Sequence, residues 1–271
     1  MFLFKFAVFL FAAVFVDLGT AFPAVNQSND SFRTSPLRII GGETANIEDY
    51  PYQVLLMIEG EGKCGGSILS ETFIITAAHC VFDQKASQLS IRAGSSFRTS
   101  GGEIVSVASF KYPEDDFDSS TYDYDIAILR LTKPLTYGDG ISPVLLPNSD
   151  DEIIQGENAK ASGWGMIDPN DESSLSEKLQ AVELPQITTQ SCEKYYGSYI
   201  TSRMFCAGYQ SGGKDTCSGD SGGPLVVDGY LVGITSWGSP TCAEAGRPGV
   251  FTKVSYFRSY IDSIINNLSE K

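Results

Sequence analysis

The chain is predicted to be all-β, and three observations predict it. Its apolar residues fall in short runs rich in Val and Ile, at 53–58, 73–78, 89–93, 104–110, 126–131, 180–184, 224–227, 231–237 and 249–254. Gly, Pro, Asp and Ser separate these runs, which is how strands are punctuated. Asp228-Gly229 between two of them is a two-residue hairpin signal. Many short strands at close spacing make a sandwich or a barrel. Only the last segment has helical period: Phe257, Tyr260, Ile261, Ile264, Ile265 and Leu268 recur at i, i+3, i+4 and i+7, with Ser255 as the expected cap.

In chain order, residues 1–21 read as a secretory signal. Lys5 supplies the positive start, residues 6–16 are an unbroken apolar run, and Gly19-Thr20-Ala21 offers small residues for cleavage. The run is too short to span a bilayer, so a secreted, extracellular, soluble protein is expected. Residues 22–38 are polar, lack cysteine and contain the sequons at Asn26 and Asn29; Asn267 heads a third. The full 271 residues, 42% of them hydrophobic, can build one large or two small cores. A net charge of −14 argues against nucleic acid, heparin or an anionic membrane as partners. Six cysteines in an exported chain are expected to form disulfides, and spacing alone permits 15 pairings.

The chemistry centres on Asp215-Thr-Cys-Ser-Gly-Asp-Ser-Gly-Gly-Pro224. Small residues around Ser221 allow a sharp turn with an exposed hydroxyl, and Gly219 offers an unobstructed N–H to a developing oxyanion. A serine hydroxyl is a weak nucleophile until a base takes its proton. The chain holds one histidine, His79, in Thr76-Ala-Ala-His-Cys80. Gly219-Asp-Ser-Gly-Gly223 also fits a nucleophile elbow, but that fold needs its histidine after the serine, and here it comes before.

Six motifs in order carry a resemblance: Ile39-Ile-Gly-Gly42, Thr76-Ala-Ala-His-Cys80, Asp125-Ile-Ala-Ile-Leu129, Gly163-Trp-Gly165, Gly219-Asp-Ser-Gly-Gly-Pro224 and Ser236-Trp-Gly238. Together they resemble the trypsin/chymotrypsin-type serine proteases, over essentially everything from Ile39 onward. The resemblance implies two six-stranded antiparallel Greek-key barrels with a C-terminal helix. The protease domain is then 39–271, with one barrel at about 39–145, a second at about 146–255 and the helix at about 255–268. It implies the pairings Cys64–Cys80, Cys192–Cys206 and Cys217–Cys242; the first two close short loops, each worth about 3 kcal/mol by loop entropy. It assigns Ser221 as nucleophile, His79 as general base and Asp125 as its orienting acid. Asp125 alone in its acidic stretch directly precedes an apolar strand, whereas Glu114, Asp115, Asp116, Asp118 and Asp123 read as a solvated loop. The N–H groups of Gly219 and Ser221 are the implied oxyanion hole.

The resemblance also makes 22–38 a pro-segment cut after Arg38, whose release frees the Ile39 amine to pair with Asp220. A covalent cut then becomes a conformational switch. Ser236, Trp237, Gly238 and Gly249 are the implied substrate-binding strand and pocket wall. Asp215 at the pocket base calls for a cationic side chain, since a buried carboxylate must find a partner. The expected activity is endopeptidase cleavage after Arg or Lys of protein or peptide substrates, by a monomer needing no cofactor or metal, with protein inhibitors of proteases as further partners.

Several departures bear on this. Ser239-Pro240-Thr241 makes the pocket rim one residue longer than usual in trypsins, which leaves chymotrypsin-like or mixed specificity open. Residues 95–100 lack the carboxylates that bind calcium in vertebrate trypsins, so no calcium requirement is expected. Gly62 stands where many relatives carry a histidine that steadies the precursor, and residues 162–177 contain no Lys or Arg for self-cleavage. A catalytically silent, protease-like binding protein is the alternative of a different class. Such relatives lose a triad member or the activation bond, and this chain keeps both.

Overall fold

The computed structural model describes residues 39–171 and 173–269. Among the described residues, twelve strands build two barrels. The first comprises β2 (Gln53–Ile58), β3 (Glu61–Ile68), β4 (Phe73–Thr76), β5 (Leu89–Ala93), β6 (Glu103–Lys111) and β7 (Ala127–Leu131), closed in the order β2-β3-β4-β7-β6-β5. The second comprises β8 (Asn158–Gly163), β9 (Gln180–Ile187), β10 (Met204–Ala207), β11 (Pro224–Val227), β12 (Tyr230–Trp237) and β13 (Gly249–Lys253), in the order β9-β10-β13-β12-β11-β8 and closed by β8–β9 pairing. All ladder pairs are antiparallel, and a short strand β1 (Glu43–Thr44) adds beside β9.

The pattern that makes these strands is alternation where one face is wet and continuous burial where neither is. In β5, Leu89, Ile91 and Ala93 point inward while Ser90 and Arg92 are half exposed. In β4 all four residues are buried. Burying such a β-branched side chain contributes roughly 1.5–3 kcal/mol, which is why the Val/Ile runs dominate both cores. Asp228 and Gly229 both take positive φ, 47° and 84°, between paired Val227 and Tyr230, the two-residue hairpin that the sequence predicts.

Three barrel strands and a helix were not among the predicted elements. β3, reading Glu-Gly-Lys-Cys-Gly-Gly-Ser-Ile, and β8, reading Asn-Ala-Lys-Ala-Ser-Gly, are poor in the residues that favour strands. β10 is only four residues long. Helix α1 (Thr189–Tyr196) corrects the expectation of a single helix at the C-terminus: the Thr188 side chain caps it by accepting from Ser191 N, and Gly197 ends it. The terminal helix α2 spans Arg258–Ser269, after a 3₁₀ turn at Val254–Phe257. Ser255 does not cap it; its hydroxyl is buried without a partner among the described residues. Phe257, Ile261 and Leu268 bury the apolar stripe against the first barrel's core. None of the helices among the described residues is long and apolar enough to cross a membrane. The predicted signal, the pro-segment with Arg38 and the first two sequons lie outside the described residues.

The three disulfides are Cys64–Cys80, Cys192–Cys206 and Cys217–Cys242, the pairings that the resemblance implies.

Candidate active site

Antiparallel pairing sets the first two candidate residues side by side. Thr76 at the end of β4 pairs with Ala127 at the start of β7, so the chain leaving β4 and the chain entering β7 are neighbours. His79 follows the first in a 3₁₀ turn, Ala78–Cys80, which the Cys64–Cys80 disulfide ties back to β3. Asp125 precedes the second and is 1% exposed. The His79 backbone N–H donates to Asp125 Oδ1 at 2.9 Å, and His79 Nδ1 lies 2.7 Å from Oδ2. With a carboxylate accepting at Nδ1, the ring's proton acceptor is Nε2.

The second barrel completes the grip on Asp125. Ser236 Oγ in β12 donates to its Oδ2 at 2.5 Å, and Thr252 Oγ1 in β13 donates to its backbone carbonyl at 2.8 Å. The Tyr122 ring meets the imidazole edge-on, with centroids 5.0 Å apart. None of these three contacts is visible in the spacing of the sequence, since each joins segments far apart in the chain or depends on loop geometry. Ser236 was expected only on the substrate-binding strand.

Ser221 belongs to the turn between β10 and β11. Gly222 N donates to Thr235 O at 2.7 Å and Gly223 N to Asp220 O at 2.9 Å, fixing the turn within its own barrel. Across the seam, Gly65 N in β3 donates to Ser221 O at 2.8 Å. The Cys80 sulfur lies 3.7 Å from the same carbonyl, and a His79 ring nitrogen lies within 4.8 Å of that sulfur. A Cβ on Gly65 would sit 2.8 Å from Gly223 Cα, so β3 needs glycine there for the barrels to meet. Cys64, His79 and Cys80 are the one cluster of metal-binding side chains among the described residues, but both sulfurs are spent in the disulfide.

The backbone before Ser221 is shaped as an anion-binding turn. Gly219 has φ 97°, and a Cβ there would lie 2.8 Å from Leu175 Cδ2 and 3.1 Å from Gly165 Cα. Among the described residues, the N–H groups of Gly219 and Ser221 donate to no protein acceptor, which leaves both for a ligand. Asp220 between them is fully buried and, among the described residues, takes only backbone donors, Gly165 N at 2.8 Å and Cys217 N at 3.0 Å. Burial raises its carboxyl to about 6, with those two N–H groups pulling the other way. Ile39 is buried in the second barrel's core, and Ile40 packs with Met166 and Cys217.

Beside Ser221 opens a cavity of about 220 Å³ lined by Ser236, Trp237, Gly238 and Gly249, with Asp215 as its acid. Asp215 is 3% exposed; Oδ2 accepts from Ala243 N at 3.0 Å, while Oδ1 has no partner among the described residues. Burial raises this carboxyl to about 7, against the N–H groups of Ala243 and Thr216, and the nearby Asp220 charge adds a little. A Cβ on Gly249 would stand 2.7 Å from Oδ1, so a larger residue there would close the route to the acid. Pro240 lines both this cavity and an adjoining groove that reaches Gly219, Leu175 and Gly62. On the rim, Ser239 Oγ donates to Glu244 Oε2 at 2.6 Å.

An imidazole held by a buried carboxylate, and a serine whose turn offers two free amides, are the groups that acyl transfer needs, and on paired β-barrels they point to a serine endopeptidase. A family model described as Trypsin matches residues 39–261, and the chain belongs to the trypsin family. It is 42% identical over 231 residues to Trypsin 5G1 of Aedes aegypti, covering 84% of this chain and 85% of that protein. It is 40% identical over 237 residues to the vitellin-degrading protease of Bombyx mori, covering 87% and 88%. It is 38% identical over 258 residues to a trypsin of Phaedon cochleariae, covering 93% and 97%. Proteases of this family act on proteins and are blocked by protein inhibitors.

Proposed function

We propose that the chain is exported as a monomeric precursor, cut after Arg38, and then hydrolyses peptide bonds following Arg or Lys through Ser221, His79 and Asp125. The observation that carries the specificity is the unpartnered Asp215 Oδ1, buried in a cavity that Ser221 also lines. A carboxylate with an unsatisfied oxygen in a site of low dielectric gains most from a guanidinium or ammonium, and an apolar side chain would leave it unpaired.

In the reaction, Ser221 Oγ attacks the substrate carbonyl carbon and its proton passes to His79 Nε2. The N–H groups of Gly219 and Ser221 stabilise the oxyanion that forms. The C–N bond breaks, the departing amine takes the proton from His79, and an acyl group remains on Ser221. Water then attacks the acyl carbon, giving a proton to His79 that returns to Ser221 Oγ as the acid leaves. These roles follow the triad pattern long established for this enzyme class.

Activation is supported at Asp220 and Ile39. Ile39 has φ 23°, a conformation costly for a β-branched residue and of order 1–3 kcal/mol, which cutting its N-terminal peptide bond would relieve. The cut also creates an ammonium next to a core that already holds Ile39, where Asp220 has no cation among the described residues. Profiling the activated protein on matched Arg, Lys, Tyr and Leu amide substrates tests the reading. Arg or Lys turnover at least a hundredfold above Tyr and Leu is the expected result, and equal turnover would refute the role of Asp215. A Ser221→Ala precursor separates self-activation from cutting by another protease, because only the former is lost with the hydroxyl.

A further inference from the structure

We infer that the Asp123–Arg203 ion pair is a clamp between the barrels that positions Asp125, and through it His79, for proton transfer. The inference rests on the triad reading above. Asp123 sits in the acidic stretch expected to be a solvated loop, yet its side chain is 17% exposed and that of Arg203 19%. Arg203 Nε donates to Asp123 Oδ1 at 2.7 Å and Nη2 to Oδ2 at 2.6 Å, the two-pronged geometry a guanidinium offers a carboxylate. Thr201 Oγ1 also donates to Oδ1, at 2.9 Å.

Both donors come from the segment entering β10 of the second barrel, whereas Asp123 belongs to the segment entering β7 of the first. Arg203 is itself anchored, because its carbonyl accepts from Lys253 N at 2.8 Å. Lys253 adjoins Thr252, whose hydroxyl holds the Asp125 carbonyl. The clamp and the Asp125 contact therefore share one strand, β13.

What the clamp braces is a turn with an unfavourable backbone. Tyr122 and Tyr124, on either side of Asp123, both have φ 55°, a left-handed conformation unfavourable to residues with a side chain. Such conformations persist where the surroundings over-determine them. The Arg203 guanidinium also lies 4.5 Å over the Tyr124 ring. The consequence reaches the imidazole from two sides: Tyr122 meets its ring, and Asp125 holds its Nδ1. Burial works against ionisation of Asp123, but the bonds from Arg203 and Thr201 outweigh it and hold its carboxyl below the usual range.

The test is steady-state kinetics of activated Arg203→Gln, Arg203→Lys and Thr201→Val on one Arg ester. Arg203→Gln is expected to lower kcat by about 10- to 100-fold with KM within about twofold, since the misplacement falls on the reacting groups and not on the Asp215 cavity. Arg203→Lys should recover part of that kcat, keeping the charge without the fork. Thr201→Val removes one donor and should cost about threefold, and it stands in if Arg203→Gln does not fold. A variant set that loses thermal stability but keeps kcat within twofold, or raises KM alone, overturns the clamp. Asp125→Asn in the same series keeps the two failures apart. If it retains parental kcat the triad reading is wrong, and if it collapses while the Arg203 and Thr201 variants stay active, only the clamp is wrong.

Discussion

Asp125 and Asp215 are both buried carboxylates at the seam of the molecule, and they are treated in opposite ways. Asp125 is saturated: the His79 N–H, the His79 ring and the Ser236 hydroxyl all reach its oxygens. Asp215 has an oxygen with no partner among the described residues, and its carboxyl is pushed up to about 7. A saturated carboxylate has a fixed position and can orient what it touches. An unsaturated one has free energy to gain from an incoming cation, so it can select a substrate. On the function proposed above, two identical side chains thus take different roles through the number of donors around them.

The largest effect that bears on this contrast is expected at Ser221, the nucleophile we propose. Ser221→Ala should reduce kcat by about 10⁶-fold, the figure known for triads of this kind, while leaving a cationic competitor bound as tightly as before. Loss of that binding with the hydroxyl would break the separation of roles.

The contrast itself is tested by exchanging each acid for its amide. Asp125→Asn should lower kcat by about 10⁴-fold for every substrate, a magnitude carried over from the same triad in this enzyme class. Asp215→Asn should lower kcat/KM by about 10⁴-fold for Arg and Lys substrates, and should spare a Leu or Tyr substrate. Equal losses across substrates for both variants would collapse the distinction.

How far this was readable in the sequence follows the same physics. Strands made of Val and Ile alternate or bury wholesale, so β2, β5, β7 and β11 stood out from local pattern. β3 and β8 did not, because glycine and alanine fill them where another backbone or core comes close, as Gly65 does at Gly223. His79 and Ser221 were legible because each is marked by chemistry, one as the lone imidazole and the other by its glycines. Asp125 needed the resemblance to be chosen among many acids. Ser236 as its donor, Tyr122 against the imidazole and the burial of Asp123 were illegible, since all three arise where distant segments are brought together by barrel closure.

Proton competition gives a smaller and graded effect. With its carboxyl at about 7 and no cation bound, Asp215 is increasingly neutral below that pH. A small aryl amidinium should therefore bind about tenfold more weakly for each pH unit below 7, until the pKa of the bound state is reached. Stability runs in the same window with the opposite benefit. The folded pKa lies above the unfolded one, so the fold retains a proton the unfolded chain has released, and stability falls as pH rises from about 4 to about 7. Asp215→Asn should remove that slope and raise stability at pH 8 by on the order of 2–4 kcal/mol. Calorimetry of parent and variant at pH 5 and 8 reads it directly; identical slopes would mean that the acid is already paired.

The smallest effect tests whether saturation is what orients Asp125. Ser236→Ala removes one of the three donors to its oxygens and leaves both His79 contacts in place. A hydrogen bond to a charged acceptor is worth about 1.5–3 kcal/mol, which bounds the loss at about 10- to 100-fold in kcat. The lower end is expected, because two donors remain and a water can occupy the space of one hydroxyl. The effect should appear in kcat with Arg, Lys and Leu substrates alike, although Ser236 also lines the Asp215 cavity. If instead the loss is confined to KM for Arg and Lys, Ser236 serves the pocket and not the triad, and Asp125 is held firmly enough by His79 alone.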